Sequence, residues 1–288
     1  MSETLSDIGS AREFEFSEQD FQTIASKVKN VAGINLSASK RSLVYSRLAK
    51  RIRKLDLNTF THYIERLEND GTGKEMDFLI TALTTNVTAF FRESHHFEHL
   101  YTKVLPGLAA RARDGARIRL WSCACSSGEE PYSIALCVQA AIPDAAQMDV
   151  KILATDIDES ILRRARTGIY PEESLKTIPT DFHRNIQRNK GDNSIRPNDQ
   201  TRALVSFGQL NLFSPWPFQG DFDVIFCRNV AIYFDKPTQA TLWHKLAQRL
   251  AENGQLYIGH SERISGPADG LLTSNGITQY ARARQEIQ

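Results

Sequence analysis

At 288 residues, with a formal net charge of +1 and 41% apolar residues, the chain is long enough for one large domain or two modest ones and can fill a real core. No stretch is apolar enough to span a membrane, and the polar start MSETLSDIGSAREF lacks the apolar centre of a signal peptide, so a cytoplasmic protein is expected. The four cysteines, Cys123, Cys125, Cys137 and Cys227, are too sparse for a disulfide framework, and reduced thiols fit that compartment.

Residues 1–13 read as a loose tail. FSEQDF then opens a helix, with Ser17 as N-cap, Asp20 three residues in and Phe16 able to staple onto Phe21; it should run to Gly33. A second helix, Ser39 to Leu55, puts Val44, Leu48, Ile52 and Leu55 on one face and Arg47, Lys50, Arg51 and Lys54 largely on the other. From Lys40 to Lys54 it holds seven basic residues and no acidic one. NTFTHYIERLEN and KEMDFLITALTT predict two more helices across the turn NDGTG, completing a helical module over residues 14–84. Residues 85–97, all but the first residue of TTNVTAFFRESHHF, are rich in aromatic and hydrogen-bonding groups for a linker and are expected to contribute to a ligand site between the halves.

From Arg117 onward, short apolar runs alternate with amphipathic segments, the pattern of a buried parallel sheet covered by helices. Strands are predicted at RIRLWSC, VKILATD, FDVIFCRN, QLYIGHS and ITQYARA, with helices at PYSIALCVQAA, ESILRRARTG and PTQATLWHKLAQRLAENG, the last ending at Gly254. Residues from about 171 to 207 break the rhythm and read as an inserted β-subdomain with short strands near SIRP and ALVSF, within a second domain over residues 98–288.

In open α/β sheets, ligands sit beyond the carboxyl ends of the strands. The first such end, SCACSSGEEP, offers small residues for a tight turn and close backbone approach, but its one glycine fails the dinucleotide fingerprint. Asp156, ending the second strand, lies where an acid accepts hydrogen bonds from a ribose diol. Glu129 and Glu130 would repel a pyrophosphate and suit a cation. An adenosine that carries a sulfonium and an ammonium, as S-adenosylmethionine does, meets both demands. Asn211 and Leu212 in FGQLNLF are placed to hold an adenine edge and face, and FCRNVAIYF follows a further strand.

TTNVTAFFRE, GEEPYSIA, TDID and FCRNVAIYFDK together resemble the CheR-type chemotaxis receptor methyltransferases over nearly the whole chain after the tail. The resemblance implies a Rossmann-like class I S-adenosylmethionine-dependent methyltransferase domain with a small antiparallel β-subdomain insert, preceded by a small all-helical domain. It implies transfer of methyl groups from S-adenosylmethionine to glutamates of chemoreceptors. Carried over by position, cofactor contacts fall on Asn86, Thr88, Arg92, Glu130, Asp156, Asn211, Leu212, Arg228 and Asn229, with Arg92 and Tyr233 close to the reacting methyl group. The basic face of Arg47, Lys50, Arg51 and Lys54 would meet the acidic, glutamate-bearing helices of the receptor. Some members of the family bind a pentapeptide at the receptor's C-terminus through the insert; NKGDNSIRPNDQT leaves that open here. A monomer is expected.

Each feature also has a plainer explanation. Cys123 and Cys125 form half a zinc site with no second pair at finger spacing, and no general base marks a catalytic thiol, so buried small hydrophobes are the better reading. His95, His96 and His99 in HHFEH lack the H-E-x-x-H pattern and read as a helix face; no metal is expected. The basic helix is often a solvated face, or a nucleic-acid surface. Against a nucleic-acid methyltransferase stand the near-neutral chain and RNVAIYF in place of an Asp/Asn-Pro-Pro-aromatic motif. A non-catalytic, cofactor-binding adaptor on receptor arrays is the third reading.

Overall fold

The computed structural model describes residues 13–283, so all of the expected tail except Glu13 lies outside the described residues. The chain forms two compact units that part between Thr84 and Thr85.

The first unit is helical: α1 Glu18–Ala32, α2 Arg41–Lys54, α3 Phe60–Asn69 and α4 Lys74–Leu83. The expected capping box closes α1, with Ser17 Oγ accepting from Asp20 N at 3.0 Å and Asp20 Oδ2 accepting from Ser17 N at 2.9 Å. Gly33 ends the helix in the left-handed conformation. The Phe16 ring packs edge-on to Phe21 at 6.3 Å and lies 4.1 Å from Phe60, so the staple also pins α3. Val44, Leu48 and Ile52 are fully buried on α2.

The opposite face of α2 departs from a simple docking surface. Arg51 forks onto Glu75 of α4, Nε to Oε1 at 2.9 Å and Nη2 to Oε2 at 2.5 Å, and its guanidinium lies 4.2 Å from the Phe78 ring centre. Arg47 donates to the carbonyls of Ala82 and Thr84, at 3.1 and 2.7 Å. Both side chains are engaged inside the unit, Arg51 by the first turn of α4 and Arg47 by its end, whereas Lys50 and Lys54 are exposed.

The second unit holds α5 His95–His99, which widens through a π-helical stretch, Leu100–Val104, into α6 Leu105–Arg113. There follow β1 Ile118–Cys123, α7 Glu129–Ala141, β2 Val150–Asp156, α8 Glu159–Thr167, β3 Tyr170–Pro171, β4 Ile186–Asn189, β5 Ser194–Pro197, α9 Asp199–Ala203, β6 Val205–Gln209, β7 Phe222–Cys227, α10 Lys236–Gln248, β8 Leu250–Ile258, β9 Leu272–Gly276 and β10 Gln279–Arg282. Seven strands form one sheet in the order β6-β2-β1-β7-β8-β10-β9, parallel from β6 to β8 and antiparallel through β10 and β9. β7 is buried at every residue, as a central parallel strand must be. α6 and α7 pack on β1, α8 on β2 and β6, and α10 on β8. This is the expected Rossmann-like sheet.

Three expectations need correction. ALVSF does not belong to the insert: β6 pairs with β2 as an edge of the main sheet, and the separate three-stranded sheet, β3-β5-β4, ends at Pro197. The helix before Gly254 stops at Gln248, because Leu250 pairs with Phe222 and is fully buried there. Register then jumps to Val224↔Gln255, so residues 251–254 bulge from the ladder, with Asn253 at φ +61. β3, β4 and β9 are strands that the sequence pattern missed.

Glu75 is 4% exposed. Glu75→Ala should therefore lower the unfolding free energy by about 3 kcal/mol in urea titration, the low end for orphaning a buried charge because Arg51 retains some solvent. An unchanged midpoint would show that the pair does not hold α2 to α4.

Candidate functional site

The site gathers where β1, β2, β6, β7 and β8 end. After β1 the chain reverses tightly, and Ala124 and Ser126 both adopt φ +52, a conformation that costs a residue with a side chain about 1–3 kcal/mol. Cys125 N donates to Thr155 O at 2.9 Å and Gly128 N to Cys125 O at 3.0 Å. Gly128, at φ +96, introduces α7 where an added Cβ would lie 2.8 Å from the Tyr170 hydroxyl. The glycine-poor loop is thus a true tight turn, with smallness supplied by Ser, Ala and Cys.

Asp156, 6% exposed, ties this loop to the end of β2: Oδ2 accepts Ser126 N at 2.8 Å and Oδ1 accepts Asp158 N at 3.0 Å. Burial raises its pKa, and the Asp158 and Ser126 N–H groups draw it back in part. Asp158 caps α8 through Oδ1 and accepts Asn86 Nδ2 at 3.2 Å through Oδ2. Ser126 Oγ donates to the Asn86 carbonyl at 3.3 Å, which fixes the segment before α5 against the β1 loop. Thr88 follows, half-buried. Beyond β6, Leu210 N donates to Asp156 O at 2.9 Å; Asn211 Oδ1 caps Phe213 N at 3.0 Å, and the buried Leu212 offers its carbonyl to Trp216 Nε1 and Lys245 Nζ.

Arg228, at the end of β7, organises the remainder. Its side chain is 1% exposed. Nη1 donates to Glu130 Oε2 at 3.0 Å, Nη2 lies 3.3 Å from Glu93 Oε2 and donates to the Arg92 carbonyl. Glu130 also accepts from Ser122 Oγ at 2.7 Å, so within the chain its cation is Arg228. Burial raises the Glu130 pKa, with Arg228 and Ser122 opposing it. Glu93, at φ +57, accepts from Asn229 Nδ2 at 3.1 Å and meets His260 Nδ1 at 3.0 Å. Burial works against its charge, but Arg228 and the hydrogen bonds from His260 and Asn229 prevail and hold the carboxyl at about 2. The Arg92 guanidinium reaches the Val87 carbonyl at 2.9 Å. Tyr233, half-exposed, lies on the single helical turn Ala231–Tyr233.

The structure therefore links Asn86 with Asp156 through Ser126 and Asp158, and separately Arg92, Glu130 and Asn229 with Arg228, directly or through Glu93, with Asn211 and Leu212 on the loop after β6. Sequence reasoning missed Glu93, His96 and Glu262. Glu262 is 3% exposed and accepts four backbone N–H groups at the end of β7 and β8. Its signal was available, since it directly follows the predicted strand QLYIGHS and strand ends are where sites lie. All four cysteines are buried free thiols, and burial pushes those of Cys123 and Cys125 well up. Among the described residues no group of three His, Cys, Asp or Glu side chains is placed to hold a metal ion, and no helix is long and apolar enough to cross a membrane.

Comparison with known proteins gives the same division of the chain. Residues 86–280 match the family model for the CheR methyltransferase SAM-binding domain, and residues 19–84 that for the CheR methyltransferase all-alpha domain. A probable chemotaxis protein methyltransferase of Rhizobium etli is 49% identical over 86% of this chain and 94% of its own length. Chemotaxis protein methyltransferase 2 of Pseudomonas aeruginosa is 41% identical over 97% of this chain and 99% of its own. The chemotaxis protein methyltransferase of Escherichia coli is 40% identical over 93% and 92%.

His96 gives the site an acid-sensitive element. It is fully buried, with Nε2 2.8 Å from Thr278 Oγ1, and burial, then the charge of Arg228 and the neighbouring His95, hold its pKa down to about 3. A histidine kept neutral in the fold but protonated when unfolded stabilises fully above pH 6.5 and loses that contribution as pH falls toward 3. The stability difference between wild type and His96→Gln should accordingly shrink below pH 6.5, by at most about 1.4 kcal/mol per pH unit. Denaturant titrations giving a constant difference from pH 7.5 to 4.5 would contradict a neutral His96.

Proposed function

Because the chain belongs to the CheR methyltransferase family, we propose that it transfers methyl groups from S-adenosylmethionine to glutamate side chains of chemoreceptors, forming methyl esters for sensory adaptation. The observation that carries this reading is the near full-length likeness to chemotaxis protein methyltransferases. The donor set agrees with it chemically. Asp156 offers a carboxylate to ribose hydroxyls, Asn211 and Leu212 an edge and a face to adenine, and Asn86, Thr88, Arg92, Glu130, Arg228 and Asn229 a mixed-charge environment to an amino-acid end. S-adenosylmethionine, when bound, supplies a methyl carbon on a positively charged sulfur.

A receptor glutamate, with an ordinary pKa of about 4.3, is ionised at cytosolic pH, so the chain needs no general base. Its task is to align a weak nucleophile and strip it of water, and positioning of this kind is worth roughly 7–11 kcal/mol. Opposite charges vanish in the products, so moderate desolvation favours transfer. The Arg92 guanidinium is suited to a forked grip on a carboxylate, and Tyr233 to shaping the acceptor channel. Lys50 and Lys54, on the face anchored by Arg47 and Arg51, offer the receptor's acidic helices a basic surface. β4, mostly exposed, leaves an open edge on the small sheet where a receptor pentapeptide would add as a strand. The same reading makes the protein a cytoplasmic monomer.

Incubation with labelled cofactor and separate receptor and RNA acceptors tests the assignment. Base-labile label on receptor glutamates is expected; label on RNA, or cofactor binding without transfer, would overturn it. Asp156→Ala should lose cofactor binding in calorimetry, whereas Tyr233→Phe should mainly lower turnover. Cys123→Ala with Cys125→Ala should leave turnover largely intact, since both thiols are held neutral; loss of transfer in the folded double variant would restore a role for sulfur.

A further inference from the structure

Glu262 lies four residues beyond β8, within GHSER, and is not among the residues assigned a role above. Its carboxylate is almost fully buried and faces backbone only. Oε2 accepts Gly259 N at 2.5 Å and Asn229 N at 3.1 Å, while Oε1 accepts Val230 N at 3.0 Å and Ala231 N at 2.7 Å. Three of these donors are consecutive and open the turn Ala231–Tyr233. The approach is close: a Cβ at Gly259 would meet Asn229 N at 2.7 Å and Glu262 Oε2 at 2.9 Å. Asn229 itself is at φ +59, so the chain leaves β7 through a left-handed residue whose exit is held by one carboxylate.

We propose that Glu262 is a positioning residue for methyl transfer: by gripping the N–H groups of residues 229–231 it fixes the turn that carries Tyr233 at the acceptor side of the site. The proposal rests on the functional reading above. The two halves of the loop are held differently. Asn229 has a second anchor, its side chain on Glu93, and Arg228 has its own on Glu130. Val230 and Ala231 carry no polar side chain to anchor themselves: Glu262 holds their N–H groups, while Gln239 Nε2 holds the carbonyls of Ala231 and Phe234 at 2.9 and 3.0 Å, so the N–H side of the stretch leading to Tyr233 rests on Glu262. Glu262→Gln replaces one accepting oxygen by an NH2 group that faces two donors, so one pair of bonds is lost while size is kept. The effect should therefore fall on turnover more than on cofactor affinity.

The test is receptor methylation by wild type, Glu262→Gln, Tyr233→Ala and the double variant, with cofactor Kd measured for each and folding checked by thermal melting. Glu262→Gln should lower kcat about 10- to 100-fold, as a small misplacement does, and change cofactor Kd less than threefold. The double variant should be no slower than Tyr233→Ala alone, because Glu262 acts through that residue. Should Glu262→Gln not fold, Glu262→Asp, which keeps the charge but withdraws it by one methylene, enters the same cycle. Unchanged kcat, or effects that simply multiply, would overturn the positioning role while wild-type transfer upholds the functional reading. No transfer by wild type would overturn both.

Discussion

The second unit is organised by the need to neutralise one buried guanidinium. A cation as enclosed as Arg228 is tolerated only with carboxylates and acceptors in contact, since the desolvation penalty is several kcal/mol per ion. The chain meets that need from three directions: Glu130 from the start of α7, Glu93 from the segment before α5, and the Arg92 carbonyl beside it. The polar residues just after Thr84 are thereby joined to the sheet ends. The same charge holds Glu93 ionised against its burial and adds to the burial that keeps nearby His96 neutral.

Backbone strain has the same address. Nine residues other than glycine have positive φ among the described residues, and five of them, Phe91, Glu93, Ala124, Ser126 and Asn229, lie in the segments that meet around Arg228. Such conformations persist only where surrounding bonds over-determine them. Here those bonds are Ser126 N to Asp156, Asn229 N to Glu262 and Phe91 N to Ser133 Oγ. A polar framework therefore keeps unusual turns in place, and the turns in their turn aim side chains at a common space.

Local patterns in the sequence were legible where short-range chemistry decides the outcome. Ser17 and Asp20 announce α1, Gly33 and Gly168 end helices in left-handed caps, and the apolar run FDVIFC is the fully buried β7. Tertiary pairing decided the rest. RLAENG continues a helical pattern, yet Leu250 has Phe222 to pair with, so strand replaced helix. ALVSF sits after a polar insert but its ladder partner is β2. Rule and motif singled out Asp156 and Glu130, and the structure places both by the carboxyl ends of the strands. Glu93, His96 and Glu262 were missed, because their roles depend on partners such as Arg228, Thr278 and Asn229, far away in sequence. The cysteines were legible too: Cys123 and Cys125, expected as buried small hydrophobes, are buried free thiols.

The order of the sheet has a consequence for how the site comes into being. β10 lies between β8 and β9 and follows both in the chain, so the antiparallel end of the sheet assembles around a strand from positions 279–282. His96 is held by Thr278 and Ile277, just ahead of that strand, although it belongs to the helix that begins the unit. Contacts of such long range are slow to form, because loop closure must precede the bonds that reward it. Helices and the first βα units can form early during synthesis, but the Glu93–Arg228 network gains its neighbour His96 only after nearly two hundred intervening residues have emerged, a separation of 182 positions between His96 and Thr278. Completion of the sheet and completion of the site are thus a single late event, and a partly made chain is left with an unpaired β8 edge for chaperones to shield.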